Sequence, residues 1–268
     1  MREIKAAIID LYDDYPNQAI SSFQHILKTF GDANGINIKA DVFDLRGKNE
    51  APGLDFDVYL SSGGPGSPID SEGSEWETKY WKLVDDIDAH NQSEASNKKH
   101  VFFVCHSFQL LCRRYKLGDV NQRTSESYGI MSTIKTEAGK ADDVFNGLAD
   151  NYYIFDSREW QVVNPDMQRF KEIGATLLTI ERERTNPTNP RALMAIRFNP
   201  YFIATQYHPE VDPVDMKERM LTDDYKNHMI EEYGIEKYNE ILGNLNQPDK
   251  LLLTYNTIIP RFLAAAIG

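Results

Sequence analysis

The chain has 268 residues, of which 41% are hydrophobic and 11% aromatic. This is enough to bury a substantial core in one large domain, or in one domain with an extension. The formal net charge of -12 disfavours binding to nucleic-acid phosphates and to anionic lipid surfaces, because both would be repelled. Neither nucleic acid nor a membrane is therefore expected as a partner.

The two cysteines, Cys105 and Cys112, are too few for a disulfide framework and indicate a reducing compartment. The apolar stretch near the start of the chain is interrupted at Asp10, and no eighteen uncharged apolar residues run together. Neither a signal peptide nor a membrane-spanning segment is supported. We expect a cytoplasmic protein.

Strand and helix patterns alternate over the first hundred residues, which is typical of parallel strand-helix-strand units. Strands are predicted at residues 6–11, 36–43, 58–62 and 101–104, and helices at residues 18–30 and 72–89. Shorter extended runs follow at residues 129–136, 152–155, 176–180, 193–198 and 202–206. We predict an α/β fold with an open, mostly parallel twisted sheet, helices on both faces, and a ligand at the carboxyl ends of the strands.

Three helical patterns end the chain, at residues 215–233, 235–245 and 251–267, and Pro260 should end or kink the last. We predict a main domain at residues 1–212 and a C-terminal helical extension packed on it at residues 213–268. The last helix is apolar enough to dock a partner or a second copy in a homodimer, although packing on its own domain is the simpler interpretation.

Cys105 follows the predicted strand at residues 101–104 and precedes a helical pattern. A strained strand-to-helix turn of this kind, a nucleophile elbow, exposes a thiol and points the first helical amides at a bound carbonyl. The alternative is that Cys105 is a small buried core residue. The elbow hypothesis makes this thiol the candidate nucleophile.

His208 follows the strand pattern at residues 202–206 and should lie at its carboxyl end. Pro209 favours an extended backbone at His208, and positions two apart in an extended chain share a face. Glu210 can therefore orient the imidazole. The alternative is a surface histidine and a surface glutamate that flank a turn.

The run Ser-Gly-Gly-Pro-Gly at residues 62–66 ends another strand, where glycines let backbone N–H groups converge on an anion. We assign it an oxyanion hole with the amides of Gly64 and His106 as donors. An ordinary turn is the alternative. Because the run lacks a dinucleotide or phosphate-loop pattern and the other histidines lack metal-ligand spacing, no cofactor and no metal ion is predicted.

Taken together and in this order, these motifs resemble the class I glutamine amidotransferases, the Cys-His-Glu group that includes the amidotransferase domains of GMP synthase and anthranilate synthase. The resemblance runs from about residue 5 to residue 212. The matching segments are residues 9–15, residues 60–68, Cys105 with Gln109, residues 126–129, and residues 206–210.

The resemblance implies a role for each of these residues. Cys105 would be the nucleophile, His208 the general base and acid, and Glu210 its orienting carboxylate. The glutamine pocket would be lined by Gly63, Gly64, Gln109, Tyr128 and the amide of His106. The likeness also implies a γ-glutamyl thioester and release of ammonia.

Three residues depart from the family pattern. Phe103 and Ser107 stand where glycines two before and two after the nucleophile are usual, and Arg158 stands where a histidine is common. Phe103 adds bulk where the elbow turns back, and overpacking a tight site costs about 1–3 kcal/mol unless the surroundings adapt. Arg158 suggests an acceptor or substrate contact that differs from that of GMP synthase.

The leading hypothesis is an enzyme that hydrolyses the side-chain amide of glutamine and passes ammonia to a separate synthetase, since no ATP-pyrophosphatase signature occurs in the chain. A second hypothesis keeps the triad and makes the chain a stand-alone γ-glutamyl peptide hydrolase. A third is a non-catalytic binding protein on the same scaffold, for which Phe103 is the main support.

Overall fold

The computed structural model describes residues 3–184, 186, 188–247 and 250–268. Within these residues, nine strands form one sheet in the order β2-β1-β3-β4-β9-β8-β7-β5-β6. The strands are β1 (Glu3–Asp10), β2 (Asn37–Asp44), β3 (Val58–Ser61), β4 (His100–Val104), β5 (Asp119–Lys135), β6 (Asn151–Val163), β7 (Thr176–Glu181), β8 (Leu193–Asn199) and β9 (Phe202–Thr205).

Ten α-helices accompany the strands in the described part of the chain. They are α1 (Ala19–Asn34), α2 (Leu45–Lys48), α3 (Glu75–Gln92), α4 (His106–Tyr115), α5 (Glu137–Ala141), α6 (Met167–Ile173), α7 (Pro213–Met220), α8 (Asp223–Leu245), α9 (Leu251–Tyr255) and α10 (Ile258–Ile267). Helix α1 buries its apolar stripe of Phe23, Ile26 and Leu27 and ends at Gly35, whose φ of 67° suits a residue without a side chain.

Helices lie on both faces of the sheet, and the predicted α/β class is confirmed. One face packs against α1 and α10 through a core that includes Phe23, Phe102 and Phe262. The other face packs against α3, α4 and α6, and its core includes Tyr80, Phe108 and Phe170. The apolar side of α10 is thus used within the chain, and a homodimer stays a prediction.

The predicted sheet was wrong in one respect, because it is mixed rather than mostly parallel. Strands β2, β1, β3, β4 and β9 pair in parallel, whereas β9, β8, β7, β5 and β6 are joined by antiparallel pairs. Parallel neighbours need a crossover connection of about a dozen residues or more, usually with a helix. Strands β8 and β9 are joined by residues 200–201 alone, which permits only antiparallel pairing.

Three of the C-terminal helices pack on the antiparallel part of the sheet. Residues of α7, α8 and α9 form a core with Ile130 of β5 and Phe155 of β6. Helix α8 is interrupted at Gly234, whose φ is 83°. Helices α9 and α10 separate before Pro260, which lies in the first turn of α10, where its missing N–H is not needed. No helix in the described ranges is long and apolar enough to cross a membrane.

Candidate active site

Cys105 lies at the turn between β4 and α4 with φ 49° and ψ -97°, a conformation that residues other than glycine rarely adopt. Its backbone N–H donates to the carbonyl of Thr205 over 2.8 Å, and its carbonyl accepts from the N–H of Gln109 over 3.0 Å. These bonds fix the turn to β9 on one side and to the first turn of α4 on the other. The backbone therefore has the strained strand-to-helix geometry of an elbow.

Phe103 does not prevent this turn. Its side chain is fully buried in the core beneath α3 and α4, where its ring meets that of Phe202 edge to face at 5.6 Å. The bulk that distinguishes it from glycine is accommodated by core packing. The main support for a non-catalytic scaffold is thereby removed.

Ser107, the second departure, is part of a buried hydroxyl chain behind the elbow. Its Oγ donates to the carbonyl oxygen of Ser62 over 2.6 Å and shares a 2.8 Å hydrogen bond with Ser61 Oγ. Ser61 Oγ in turn lies 3.0 Å from Tyr80 Oη on α3. The Ser107 hydroxyl, which a glycine at this position would lack, thus joins α4 to Ser62, the residue before Gly63.

His208 and Glu210 form a buried pair, with His208 Nδ1 2.7 Å from Glu210 Oε1. Their side chains are only 9% and 1% exposed, so solvent screens the pair little. Burial of the ring disfavours its charged form, but Glu210 and Cys105 outweigh this and raise the pKa of His208 well above its usual value. Hydrogen bonds of the ring with both residues act in the same direction. The site therefore favours an imidazolium beside the sulfur.

Two further groups contact the sulfur of Cys105. Its Sγ lies 3.7 Å from the carbonyl oxygen of Ser157, as a donor, and 3.6 Å from Nε2 of Gln206, as an acceptor. Gln206 was not among the predicted site residues. The signal was present, because Gln206 follows β9 directly and precedes His208 by two positions.

The glycine run lies against these groups. A Cβ atom on Gly63 would lie 3.1 Å from Cε1 of His208, 3.1 Å from Oη of Tyr12 and 3.4 Å from Cβ of Cys105. A Cβ atom on Gly64 would lie 2.4 Å from the carbonyl oxygen of Leu11. A side chain at Gly64 would collide with the backbone directly after β1, whereas one at Gly63 would require the neighbouring side chains to shift by a few tenths of an ångström.

The side chain of His106, next to the nucleophile, is 1% exposed. Burial, with the charges of Arg46 and Arg113, lowers its pKa to about 3. Its imidazole is therefore neutral at ordinary pH and does not serve as the base. Its backbone amide stays the predicted oxyanion donor.

Gln109 and Tyr128 both line the cleft that contains Cys105 and His208. Gln109 Nε2 donates to the carbonyl of Trp160 over 3.1 Å and to Gln206 Oε1 over 3.2 Å. Tyr128 stacks on Tyr233 at 4.5 Å and lies edge to face with Phe155 at 5.4 Å. Gln109 thus contacts the amide of Gln206, which itself contacts the sulfur, and Tyr128 belongs to an aromatic cluster.

The cleft has a volume of about 690 Å³ and also includes residues of α7 and α8. These are Asp215, Met216, Arg219 and Tyr225. Tyr12, which was not predicted as a site residue, lies in the same cleft. Among the described residues, no group of histidine, cysteine or carboxylate side chains could hold a metal ion.

Arg158 is enclosed in the sheet and has no exposed side-chain surface. Its Nε donates to both carboxylate oxygens of Asp156 over 3.0 Å, and its Nη2 donates to Glu181 Oε1 over 3.1 Å. The guanidinium is thus held by two carboxylates of β6 and β7. Arg158 also lines the cleft, and its Nη1 has no hydrogen-bond partner among the described residues, so a contact with substrate stays a prediction.

Residues 16–228 match the family model of the class I glutamine amidotransferases. The chain belongs to this family. It is therefore a hydrolase-type enzyme, and the family chemistry is hydrolysis of the glutamine amide. The match ends within α8, beyond residue 212, and the predicted division into a main domain and an extension stays a prediction.

Solved structures of this amidotransferase type share the fold. A glutamine amidotransferase from Thermotoga maritima has a TM-score of 0.69 at 13% identity, with 100% of each chain covered. A putative GMP synthase subunit from Thermoplasma acidophilum has a TM-score of 0.51 at 18% identity, covering 79% of this chain and 87% of that one.

The glutaminase domain of a Trypanosoma brucei CTPS, solved with bound acivicin, has a TM-score of 0.54 at 14% identity. The comparison covers 77% of this chain and 86% of that one. At these identities the likeness establishes the fold. No curated protein matches the chain in sequence.

Proposed function

We propose that the enzyme hydrolyses the side-chain amide of glutamine through a thioester on Cys105. The observation that carries the proposal is the convergence of a strained cysteine, a buried His208-Glu210 pair and a glycine run around one cleft. Covalent acyl transfer requires a nucleophile, a base held by a third group, and donors for the oxyanion.

The reaction follows from the charges of the site. His208 takes the proton of Cys105, and the thiolate adds to the amide carbon of glutamine. The developing oxyanion is bound by the amides of Gly64 and His106. His208 then donates its proton to the amide nitrogen, and the C–N bond breaks. Ammonia is released, and Cys105 carries a γ-glutamyl thioester. Water that gives a proton to His208 attacks this thioester, and glutamate and the free thiol are released.

Gln109, Gly63 and Tyr128 are proposed to bind the glutamine, because all three border the sulfur, the imidazole or the cleft between them. Ammonia would pass to a separate synthetase. Both cysteines are free thiols, in keeping with a cytoplasmic reaction.

The test is release of ammonia and glutamate from glutamine by the wild-type chain and by Cys105→Ala, with and without candidate synthetases. Cys112→Ala is the matched control, because Cys112 is also a buried thiol and lies in the core on α4. We expect activity in the wild type and in Cys112→Ala only. Equal turnover by Cys105→Ala would end the proposal.

A stand-alone γ-glutamyl peptide hydrolase is the second candidate, and the residues that α7 and α8 contribute to the cleft favour it. The guanidinium of Arg219 lies 4.5 Å from the ring centroid of Tyr225, whose Oη is 2.9 Å from that of Tyr128. No carboxylate of the described residues forms an ion pair with Arg219. An unpaired guanidinium in the same cleft as Cys105 suits a carboxylate on the amine half of a larger γ-glutamyl amide.

Comparison of L-glutamine, a γ-glutamyl dipeptide and a γ-glutamyl alkylamide separates the two candidates. The hydrolase candidate predicts that kcat/KM for the dipeptide exceeds the other two values and that Arg219→Gln removes this preference. Preference for free glutamine, unchanged in Arg219→Gln, would favour the ammonia donor.

A further inference from the structure

The buried amide of Gln206 contacts the reacting sulfur, and no role has yet been assigned to it. We propose that Gln206 is a further catalytic residue, which donates a hydrogen bond from Nε2 to the sulfur of Cys105 and stabilises its thiolate. The inference rests on the proposed function, because the thiolate is the attacking group of that reaction.

The position of Gln206 is fixed by the fold. It is completely buried, and its backbone N–H donates to the carbonyl of Met194 over 2.8 Å. The preceding residue, Thr205, accepts the 2.8 Å hydrogen bond from the backbone N–H of Cys105. Nucleophile and amide are therefore held across adjacent strand ends, where the 3.6 Å contact between Nε2 and Sγ does not depend on a mobile loop.

The contacts of the sulfur have opposite effects on its ionisation. The carbonyl of Ser157, 3.7 Å away, accepts a hydrogen bond from the neutral thiol but would repel a thiolate. The N–H of Gln206 does the reverse, because a donor favours the charged form of its partner. The N–H of Gln206 is therefore the contact of the sulfur that suits the attacking thiolate, and it comes from the same short segment as His208.

Gln109 fixes which end of the Gln206 amide faces the sulfur. A glutamine amide carries an acceptor oxygen and a donor nitrogen of similar shape, so its neighbours decide its orientation. Gln109 Nε2 donates to Gln206 Oε1 over 3.2 Å, and this leaves Nε2 of Gln206 for the sulfur. A residue that lines the substrate cleft is thereby connected to the nucleophile through one amide.

The test measures ionisation of the thiol without any substrate. Alkylation of Cys105 by iodoacetamide, followed by peptide mass spectrometry from pH 5 to 10, gives the midpoint pH at which the thiolate forms. Gln206→Met keeps the length of the side chain but removes the donor, and Gln206→Glu replaces the donor with an acceptor. Gln92→Met, at an exposed amide of α3, is the control.

We expect the alkylation midpoint to move up by about one pH unit in Gln206→Met, because a hydrogen bond to a charged group is roughly a tenfold effect. Gln206→Glu should move it further, and Gln109→Leu should move it in the same direction by less. Glutaminase kcat should fall about tenfold at neutral pH in Gln206→Met and recover as the pH rises, a recovery that a merely structural defect would not give.

The inference is overturned if folded Gln206→Met has the wild-type alkylation midpoint. If Gln206→Met does not fold, a wild-type midpoint in folded Gln109→Leu overturns it instead. Failure of the proposed function looks different. In that case the wild type releases no ammonia from glutamine, whatever the alkylation midpoints of its variants.

Discussion

Removal of the Ser107 hydroxyl tests whether the hydroxyl chain behind the elbow holds the glycine run in place. Ser107→Ala deletes the donor to the carbonyl of Ser62 and one partner of Ser61 Oγ, whereas Ser61 keeps its 3.0 Å hydrogen bond with Tyr80. All three serines are fully buried, so water cannot replace the lost bonds without entering the core.

The expected effect on stability follows from one buried carbonyl that loses its hydroxyl donor. Such a group costs about 1–3 kcal/mol in the free energy of unfolding. For a protein of this size, each kcal/mol corresponds to a fall of about 2–4 °C in Tm. Because Gly63 and Gly64 follow Ser62 directly, a shift of its carbonyl also displaces the proposed oxyanion donor, and kcat should fall by about tenfold with little change in KM.

Urea unfolding and glutaminase kinetics measure the two effects on the same protein. Ser21→Ala, at an exposed serine of α1, is the control and should stay within about 0.5 kcal/mol of the wild type. The reasoning is refuted if Ser107→Ala unfolds at the same urea concentration as Ser21→Ala and keeps the wild-type kcat. Loss of stability with full activity would show that the buried hydroxyl chain stabilises the core but does not hold the glycine run in place.

Three further changes test the rest of the site. Glu210→Gln should lower the pKa of His208. The wild type should therefore have the higher free energy of unfolding, and the difference between the two proteins should be largest near pH 6 and decrease as the pH rises through the elevated pKa of His208. Arg158→Leu leaves the buried carboxylate of Asp156 without its counter-charge and should cost about 3–5 kcal/mol in urea unfolding at neutral pH. Gly63→Ala should reduce kcat more than stability, because its methyl group would meet side-chain atoms of the catalytic His208 and Cys105 rather than backbone.

Each of these has a contrary outcome. A stability difference between wild type and Glu210→Gln that grows with pH would reverse the sign of the proposed His208 linkage. Adding Asp156→Asn to Arg158→Leu should restore part of the lost free energy of unfolding. If it does not, the loss in Arg158→Leu comes from disturbed packing rather than from the unpaired carboxylate. Gly64→Ala is the comparison for Gly63→Ala and should lose stability as well as kcat, because its methyl group would meet the backbone of Leu11 and displace the proposed oxyanion donor.

The strands and helices of the first half were predictable because their apolar residues form either a short continuous run or a repeat with helical spacing. Residues 6–9 and 101–104 are continuous apolar runs that lie in β1 and β4, where they are buried on both faces of the sheet. The long hairpin of β5 and β6 was only half predicted. Residues 119–128 are mostly polar and partly exposed, and they pair with β6 through a shift of register that no alternation of side chains reveals.

At the site, local motifs identified the residues but not the contacts between them. The strained φ of Cys105 follows from a strand-to-helix turn, and the pairing of His208 with Glu210 follows from spacing by two. The sulfur contact of Gln206 and the enclosure of Arg158 depend on which strands are neighbours in the sheet. Sequence order does not give this information, because β9 lies beside β4 across a long excursion of the chain.

The parallel register of the central strands brings the motifs together. Ser61 is opposite Phe103, and Val104 is opposite Thr205, so β3, β4 and β9 end at the same edge of the sheet. The glycine run, Cys105 and the segment from Gln206 to His208 begin at that edge. Because side chains alternate between faces, a slip of one residue between β4 and β9 would direct Gln206 away from the sulfur and towards the opposite face. The buried core residues on both sides of β9 exclude that slip, so the same packing that stabilises the fold sets the geometry of the nucleophile.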